Sequence, residues 1–136
     1  ITANSDGKRY DQTFSFNTIP EGSYKLAIFK PGKYVPKIVP ITVDSTDYTC
    51  GELKLWLYGD VTYDGMVDGV DSMQIKRYFA SLPSVFTLGT AEEQADRLLA
   101  GNVTSVISND TDVDGIDAMQ IKRYFAGLPS AFDYMK

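Results

Sequence analysis

Histidine is absent from this 136-residue chain, and cysteine occurs once, at Cys50. Without His or a second Cys the chain can build neither a zinc site nor a redox pair nor an internal disulfide. The commonest general base is missing too, and with it any Ser-His-Asp or Cys-His arrangement. No apolar run approaches the roughly 18 residues of a membrane span, so no membrane insertion is expected. Basic residues are in the minority, 13 Lys+Arg against 18 Asp+Glu for a formal net charge of −5. That balance disfavours nucleic acid and anionic membranes as partners and suits a cation. A composition 43% hydrophobic and 23% charged excludes disorder and a collagen-like chain, and predicts one ordinary domain or two small ones.

Residues 1–57 alternate apolar and polar positions in short runs: Phe14 and Phe16, then Tyr24, Leu26 and Ile28, then Ile38, Ile41 and Val43, then Leu53, Leu55 and Leu57. Period two predicts half-buried strands. Turn residues fall between the runs, among them Asp6-Gly7, Pro20-Glu21-Gly22, Pro31-Gly32 and Cys50-Gly51. The expectation is a small antiparallel β-sandwich over 1–57, followed by an all-α module over 58–136, an α+β chain of two modules.

An internal repeat organises the second module. Residues 64–86 and 110–132 match at 17 of 23 positions, and Met73 to Ala80 is identical to Met119 to Ala126. In each copy an Asp with Gln three residues on, Asp71 with Gln74 and Asp117 with Gln120, has the pattern of a capping box, and a Pro follows the helix. Ile75, Tyr78, Phe79 and Leu82 fall on one helical face, as do Ile121, Tyr124, Phe125 and Leu128, and these faces are expected to form the shared core. Thr90-Ala91-Glu92-Glu93 opens a third, connecting helix that runs to about Ala100 and stops at Gly101. Apolar Phe132 and Tyr134 are expected to pack near Trp56 or Tyr58.

Eight of the 18 acidic residues lie in two short stretches. The first, Asp60 to Asp71, has the length of a twelve-residue calcium loop, which offers oxygen ligands at positions one, three, five, seven, nine and twelve with Gly sixth for the sharp turn. Those positions are Asp60, Thr62, Asp64, the carbonyl of Met66, Asp68 (directly or through water) and Asp71, with Gly65 sixth. The second stretch aligns with an insertion of four residues inside Ser105 to Asn109. Its proposed ligands are Asn102, Thr104, Asp110, the carbonyl of Asp112, Asp114 and Asp117. Lengthening a surface loop costs little, so the insertion can bulge without moving the ligands beside it. Thr111 in place of Gly and Asn102 in place of Asp predict weaker binding at the second site. Two calcium ions would carry the formal charge from −5 to −1.

A duplicated calcium loop followed by one helix, with Lys-Arg-Tyr at the same place in each helix and Gly59-Asp60-Val61 opening the first copy, resembles the dockerin modules of bacterial cellulosomes over residues 59–132. Gly22 to Tyr34 resembles the carboxypeptidase-regulatory-like sandwiches, and a sandwich placed upstream is similar to the X modules that precede some dockerins. The resemblance implies a non-catalytic plug, monomeric until it binds a cohesin module of a scaffoldin or anchoring protein. It further implies an extracellular setting, secreted or attached to a cell surface. By that resemblance the contact surface falls on Gly69, Val70, Lys76, Arg77 and Ser81, and on Gly115, Ile116, Lys122, Arg123 and Gly127. Many family members carry Ser-Thr where this chain has Gly69-Val70 and Gly115-Ile116, a departure toward a more apolar contact that Met73 and Met119 join.

Three other readings stand beside it. A calcium sensor needs a helix on both sides of each loop, and Leu53 to Tyr58 is strand-like. A glycosidase would need a carboxylate pair among Glu21, Glu52, Glu92, Glu93 and Asp96, and no motif marks one. A calcium-binding extracellular module whose sandwich binds glycans on Trp56 or Tyr34 is the remaining alternative.

Overall fold

The computed structural model describes residues 2–3, 10–30 and 32–135; Asp6-Gly7 and Pro31 lie outside the described residues. The chain forms two compact units, Ile1–Phe29 with Pro36–Leu55, and Lys30–Val35 with Trp56–Lys136.

The first unit contains no sandwich among the described residues. It holds two antiparallel pairs, β1 (Thr2–Ala3) with β2 (Tyr10–Asp11), and β3 (Gly22–Ile28) with β4 (Lys37–Val43). Of the four alternating runs, only two find ladder partners, with Leu26 opposite Val39 and Tyr24 opposite Ile41. The half-buried face of β4 is Lys37, Val39, Ile41 and Val43, so Ile38 has the wrong parity for the predicted face and stands exposed. Phe14 and Phe16 lie outside any ladder and pack edge to face on each other, 5.8 Å between centroids. Leu53 to Leu57 contributes a single bridge rather than a strand. Alternation supplies an apolar face, but a sandwich also needs a second sheet to cover it. Here no side chain of β3 or β4 is fully buried.

The second unit is not all-α either. Tyr34 forms an antiparallel bridge with Leu57, where Val35 N donates to Trp56 O (2.8 Å) and Tyr58 N to Lys33 O (2.7 Å). Three helices follow: α1 (Gly69–Phe79), α2 (Ala91–Gly101) and α3 (Gly115–Phe125). The box predicted for α2 is present, with Glu93 N bonded to Thr90 Oγ1 and Thr90 N to Glu93 Oε2. The other two helices begin earlier than their Asp-Gln pattern implies. Asp68 and Asp114 are the N-caps, and Asp71 and Asp117 close the boxes as the third helical residues. Gln74 and Gln120 serve elsewhere, accepting from Val85 N (3.1 Å) and Ala131 N (2.9 Å) in the segments that follow each helix.

The core gathers Val61, Ile75, Phe86, Val103, Val113, Ala118, Ile121 and Phe132. From each predicted helical face only the Ile is wholly inside. Phe79 and Phe125 are 65% and 66% exposed, and Leu82 and Leu128 are exposed as well. The buried seam is narrow, Asp71, Ser72 and Ile75 in α1 and Asp117, Ala118 and Ile121 in α3. Each helix stops just after the Phe, where Ser81 (φ 56°) and Gly127 (φ 69°) turn left-handed and Leu82 N and Leu128 N reach back to Arg77 O and Arg123 O. Leu82 and Leu128 therefore leave the helical line before they can join the core.

The halves interlock. Phe86 lies against Gly101, and Phe132 of the second copy lies against Gly59 of the first. A Cβ at Gly59 would stand 2.7 Å from both the Phe132 ring and Val67, so only glycine fits. Tyr78 packs on Phe86 and Tyr124 stacks on Phe132, with centroids 4.5 and 4.3 Å apart. Phe132 thus packs into the core cluster, against which Tyr58 also packs. Tyr134 does not, at 68% exposed.

That contrast gives a test. Phe132→Ala is expected to cost about 3–5 kcal/mol of unfolding free energy. Tyr134→Ala is expected to stay within about 0.5 kcal/mol of the parent chain in the same urea titration.

Candidate metal centre

The first loop is built around a hydroxyl. Thr62 Oγ1 lies 3.0 Å from Asp71 Oδ1 and 3.4 Å from Asp60 Oδ1. Asp60 folds the loop onto itself, accepting from Asp64 N (3.0 Å) and from Gly65 N (2.8 Å). Gly65 takes φ 85°, the left-handed turn that the sixth position requires. Asp64 accepts from Met66 N and Asp68 from Val70 N, while Asp71 ties the loop's end to its start by accepting from Asp68 N and Thr62 N. Asp60, Thr62, Asp64 and Asp71 are thereby brought together. Asp68 faces the helix start as its cap.

The second loop repeats the pattern through a different path. The chain enters the insertion through a 3-10 turn, Val103–Val106, capped by Asn102, whose Oδ1 accepts from Ser105 N. Ser108 Oγ then bonds back to Thr104 O. The chain returns so that Thr104 Oγ1 lies 2.9 Å from Asp117 Oδ1, 3.2 Å from Asp110 Oδ2 and 3.4 Å from Asn102 Oδ1. Asn102 Nδ2 donates to Asp110 O, and Asp114 caps α3 as Asp68 caps α1. Asp112 is exposed and its amide bonds to Asp110 Oδ1. Thr111 lacks the positive φ of Gly65, so the two loops are alike at their ends and different at their turns.

Charge makes these loops unusual. Asp60, Asp71 and Asp117 are 2%, 1% and 0% exposed. Burial raises the pKa of all three, and backbone amides only partly offset it. For Asp71 burial is the largest cause, with Asp60 adding repulsion, and its carboxyl is pushed up to about 6. Asp64 adds repulsion at Asp60, and Asp114 at Asp117. A buried anion without a cation is costly, and helix starts and amides repay it only in part.

Among the described residues no three His, Cys, Asp or Glu side chains are gathered as a metal-binding set, because the carboxylates turn onto loop amides and hydroxyls. The side-chain donors gathered in each loop are nevertheless all oxygen, and several are carboxylates. That set suits a hard cation of the calcium type, which would be held by Asp60, Thr62, Asp64 and Asp71 in the first loop and by Asn102, Thr104, Asp110 and Asp117 in the second, whereas Asp68 and Asp114 are turned to cap the helices.

The residues assigned to a partner surface are exposed, on α1 and α3 and in the turns at Ser81 and Gly127 that follow them, apart from half-buried Arg123. Arg77 and Arg123 have a second task, since their Nε atoms donate to Pro83 O and Pro129 O and hold down the chain after each helix. Trp56 cannot be a glycan platform. It is 2% exposed, packed at a tilt on Tyr63 and under the Arg97 guanidinium, 5.1 Å away.

Arg97 is the residue that sequence reasoning passed over. It is buried in α2, with Nε donating to Val61 O (2.9 Å) and Nη1 to Val85 O (2.7 Å) and Leu88 O (2.8 Å). Nothing in a helix of mixed charges distinguishes it from a solvated arginine.

Comparison with protein-family models, curated proteins and solved structures finds no match. Among the described residues no helix is long and apolar enough to cross a membrane.

The buried carboxylates predict a reversed pH dependence. Folded Asp71 holds its proton to about pH 6, against 3.8 for an unperturbed Asp, so between those values the folded chain binds more protons than the unfolded one. This contribution to stability is complete below 3.8 and is lost as pH rises through about 6. In chelator, Tm is therefore expected to fall from pH 5 to pH 7. Were calcium to occupy these oxygens it would compete with the protons, and Tm in excess calcium would rise over the same range. A Tm in chelator that is flat or rising with pH contradicts the assignment.

Proposed function

We propose that residues 59–132 act as a calcium-dependent docking module of the dockerin type, which binds a cohesin on a scaffoldin or cell-surface anchoring protein outside the cell. The supporting observation is the agreement of the two copies, bond by bond. Thr62 to Asp71, Asp68 to Asp71, Gln74 to Val85 and Arg77 to Pro83 are matched by Thr104 to Asp117, Asp114 to Asp117, Gln120 to Ala131 and Arg123 to Pro129. Two matched helices then present the same outward residues. Val70 and Ile116 are 49% and 51% exposed, and Met73 and Met119 are exposed beside Lys76 and Lys122.

On this reading the protein is no enzyme. Calcium replaces the loop amides as partner of the buried carboxylates, fixes where α1 and α3 begin, and so sets the outward residues in place. Binding free energy for the ions becomes folding free energy for the helical unit.

Two measurements test it. Excess chelator is expected to melt the helical unit first, seen as loss of far-UV helical signal on heating, and a melt unchanged by chelator counts against the proposal. Immobilised cohesins of the several types are then presented with the chain in calcium and in chelator, and capture by at least one, in calcium only, is expected. Val70→Asp with Ile116→Asp should abolish that capture while leaving the calcium-loaded melt within about 0.5 kcal/mol, because both sites are exposed.

A further inference from the structure

The helix between the repeats touches both loops at their first candidate ligand. Ala100 O accepts from Gly59 N (2.7 Å), and Arg97 Nε donates to Val61 O (2.9 Å), so the residues on either side of Asp60 are both fastened to the end of α2. The same helix terminates in Asn102, whose amide bonds to Leu98 O (3.1 Å) and whose Oδ1 lies 3.4 Å from Thr104 Oγ1. From Arg97 to Asn102 is about 7.5 Å of helix axis, too short to bend without breaking its own hydrogen bonds. The Arg97 head is also not free to absorb movement, since Val85 O and Leu88 O hold its Nη1.

We propose that the two loops are energetically coupled through α2, with Arg97 as the positioning residue that carries the coupling. The proposal rests on the calcium reading and deepens it. An ion at the second loop draws Asn102 toward Thr104, Asp110 and Asp117, which fixes the end of α2. Arg97 and Ala100 then hold Val61 and Gly59, and Asp60 between them, in the arrangement the first ion needs. The reverse holds by thermodynamic reciprocity. The sign is informative, because two bound cations repel and direct electrostatics would weaken the second binding step.

A double-mutant cycle reads the coupling. Calcium is titrated while NMR follows the Gly65 amide, which donates to Asp60, as reporter of the first loop, and the Thr104 amide, which donates to Asp117, as reporter of the second. Asp110→Ala, in a surface loop, disables the second site. With Arg97 present, it is expected to weaken calcium binding at the first loop about tenfold, within the usual range of coupling between sites. In an Arg97→Met background the same substitution should change first-loop affinity less than about twofold. A merely structural Arg97 would lower affinity in both backgrounds and leave their ratio intact. Should Arg97→Met not fold, Arg97→Lys keeps the charge but cannot span Val61 and the 85–88 turn together, and a reduced ratio is expected there.

The outcomes separate. If calcium shifts both reporters in the parent chain and Asp110→Ala leaves the Gly65 midpoint within twofold or tightens it, the coupling is wrong and the calcium reading stands. A ratio unchanged by either Arg97 variant removes Arg97 from the route. If neither amide shifts at millimolar calcium, the calcium reading itself falls.

Discussion

Two carboxylates inside a hydrophobic core are the constraint around which the helical unit is arranged. Asp71 and Asp117 sit one turn from Ile75 and Ile121, as deeply buried as those isoleucines. A carboxylate there must lose its charge or be surrounded by donors. Each accepts from a threonine amide and hydroxyl at the loop's start and from its own N-cap amide at the loop's end. Those bonds join the two ends of each loop, and they explain why α1 and α3 begin at Gly69 and Gly115. The N-terminal dipole of each helix favours an anion in its first turn, a contribution of about 0.3–1 kcal/mol that does not cover burial. The remaining cost is what a divalent cation would offset.

Interlocking follows from that arrangement. With both loop ends closed against the core, the glycines that open them lie where a large ring must fit, and Phe86 and Phe132 fill those places. Neither half could bury its own seam alone, since each consists of one helix and one loop. Small repeats share this property, so the pair is the folding unit. The pseudo-symmetry nonetheless breaks at the helix contact, where Ser72 Oγ donates to Ala118 O (2.8 Å). One donor there satisfies one carbonyl, and the matching position in the second copy can be alanine.

How much of this could be read from the chain differs by kind of signal. Turn and cap geometry is set locally and was legible, in the left-handed Gly65 turn and in the Thr90 box of α2, and the burial of Phe132 was legible as well. The extent of the helical core was not. Periodicity places Phe79 and Leu82 on the face of Ile75, but the left-handed residues Ser81 and Gly127 end that face early. Parity misled in β4, where Ile38 is apolar and points the wrong way. The sandwich failed for a non-local reason, because alternation cannot state whether a second sheet exists to cover it. Arg97 was invisible because its partners are carbonyls, which have no sequence signature.

The exposed residues complete the argument, because the fold does not account for them. Where packing governs, the copies are free to differ if the neighbour differs: Ser72 against Ala118, Val85 against Ala131. Ser81 against Gly127 differs under a backbone demand that serine meets only with strain, at φ 56°. Met73 and Met119, Lys76 and Lys122 meet no such demand, being exposed, yet they are identical, and Val70 and Ile116 keep a branched apolar side chain where water would favour a polar one. Scattered surface apolar residues need no explanation, but a matched set of them on two related helices, beside the same lysines, is a recurrence that packing does not require. Use as a docking surface, as proposed, would account for that recurrence. The buried carboxylates lie beside these residues, and a cation that relieved their burial would act on the first turn of each helix, on which Val70 and Ile116 stand.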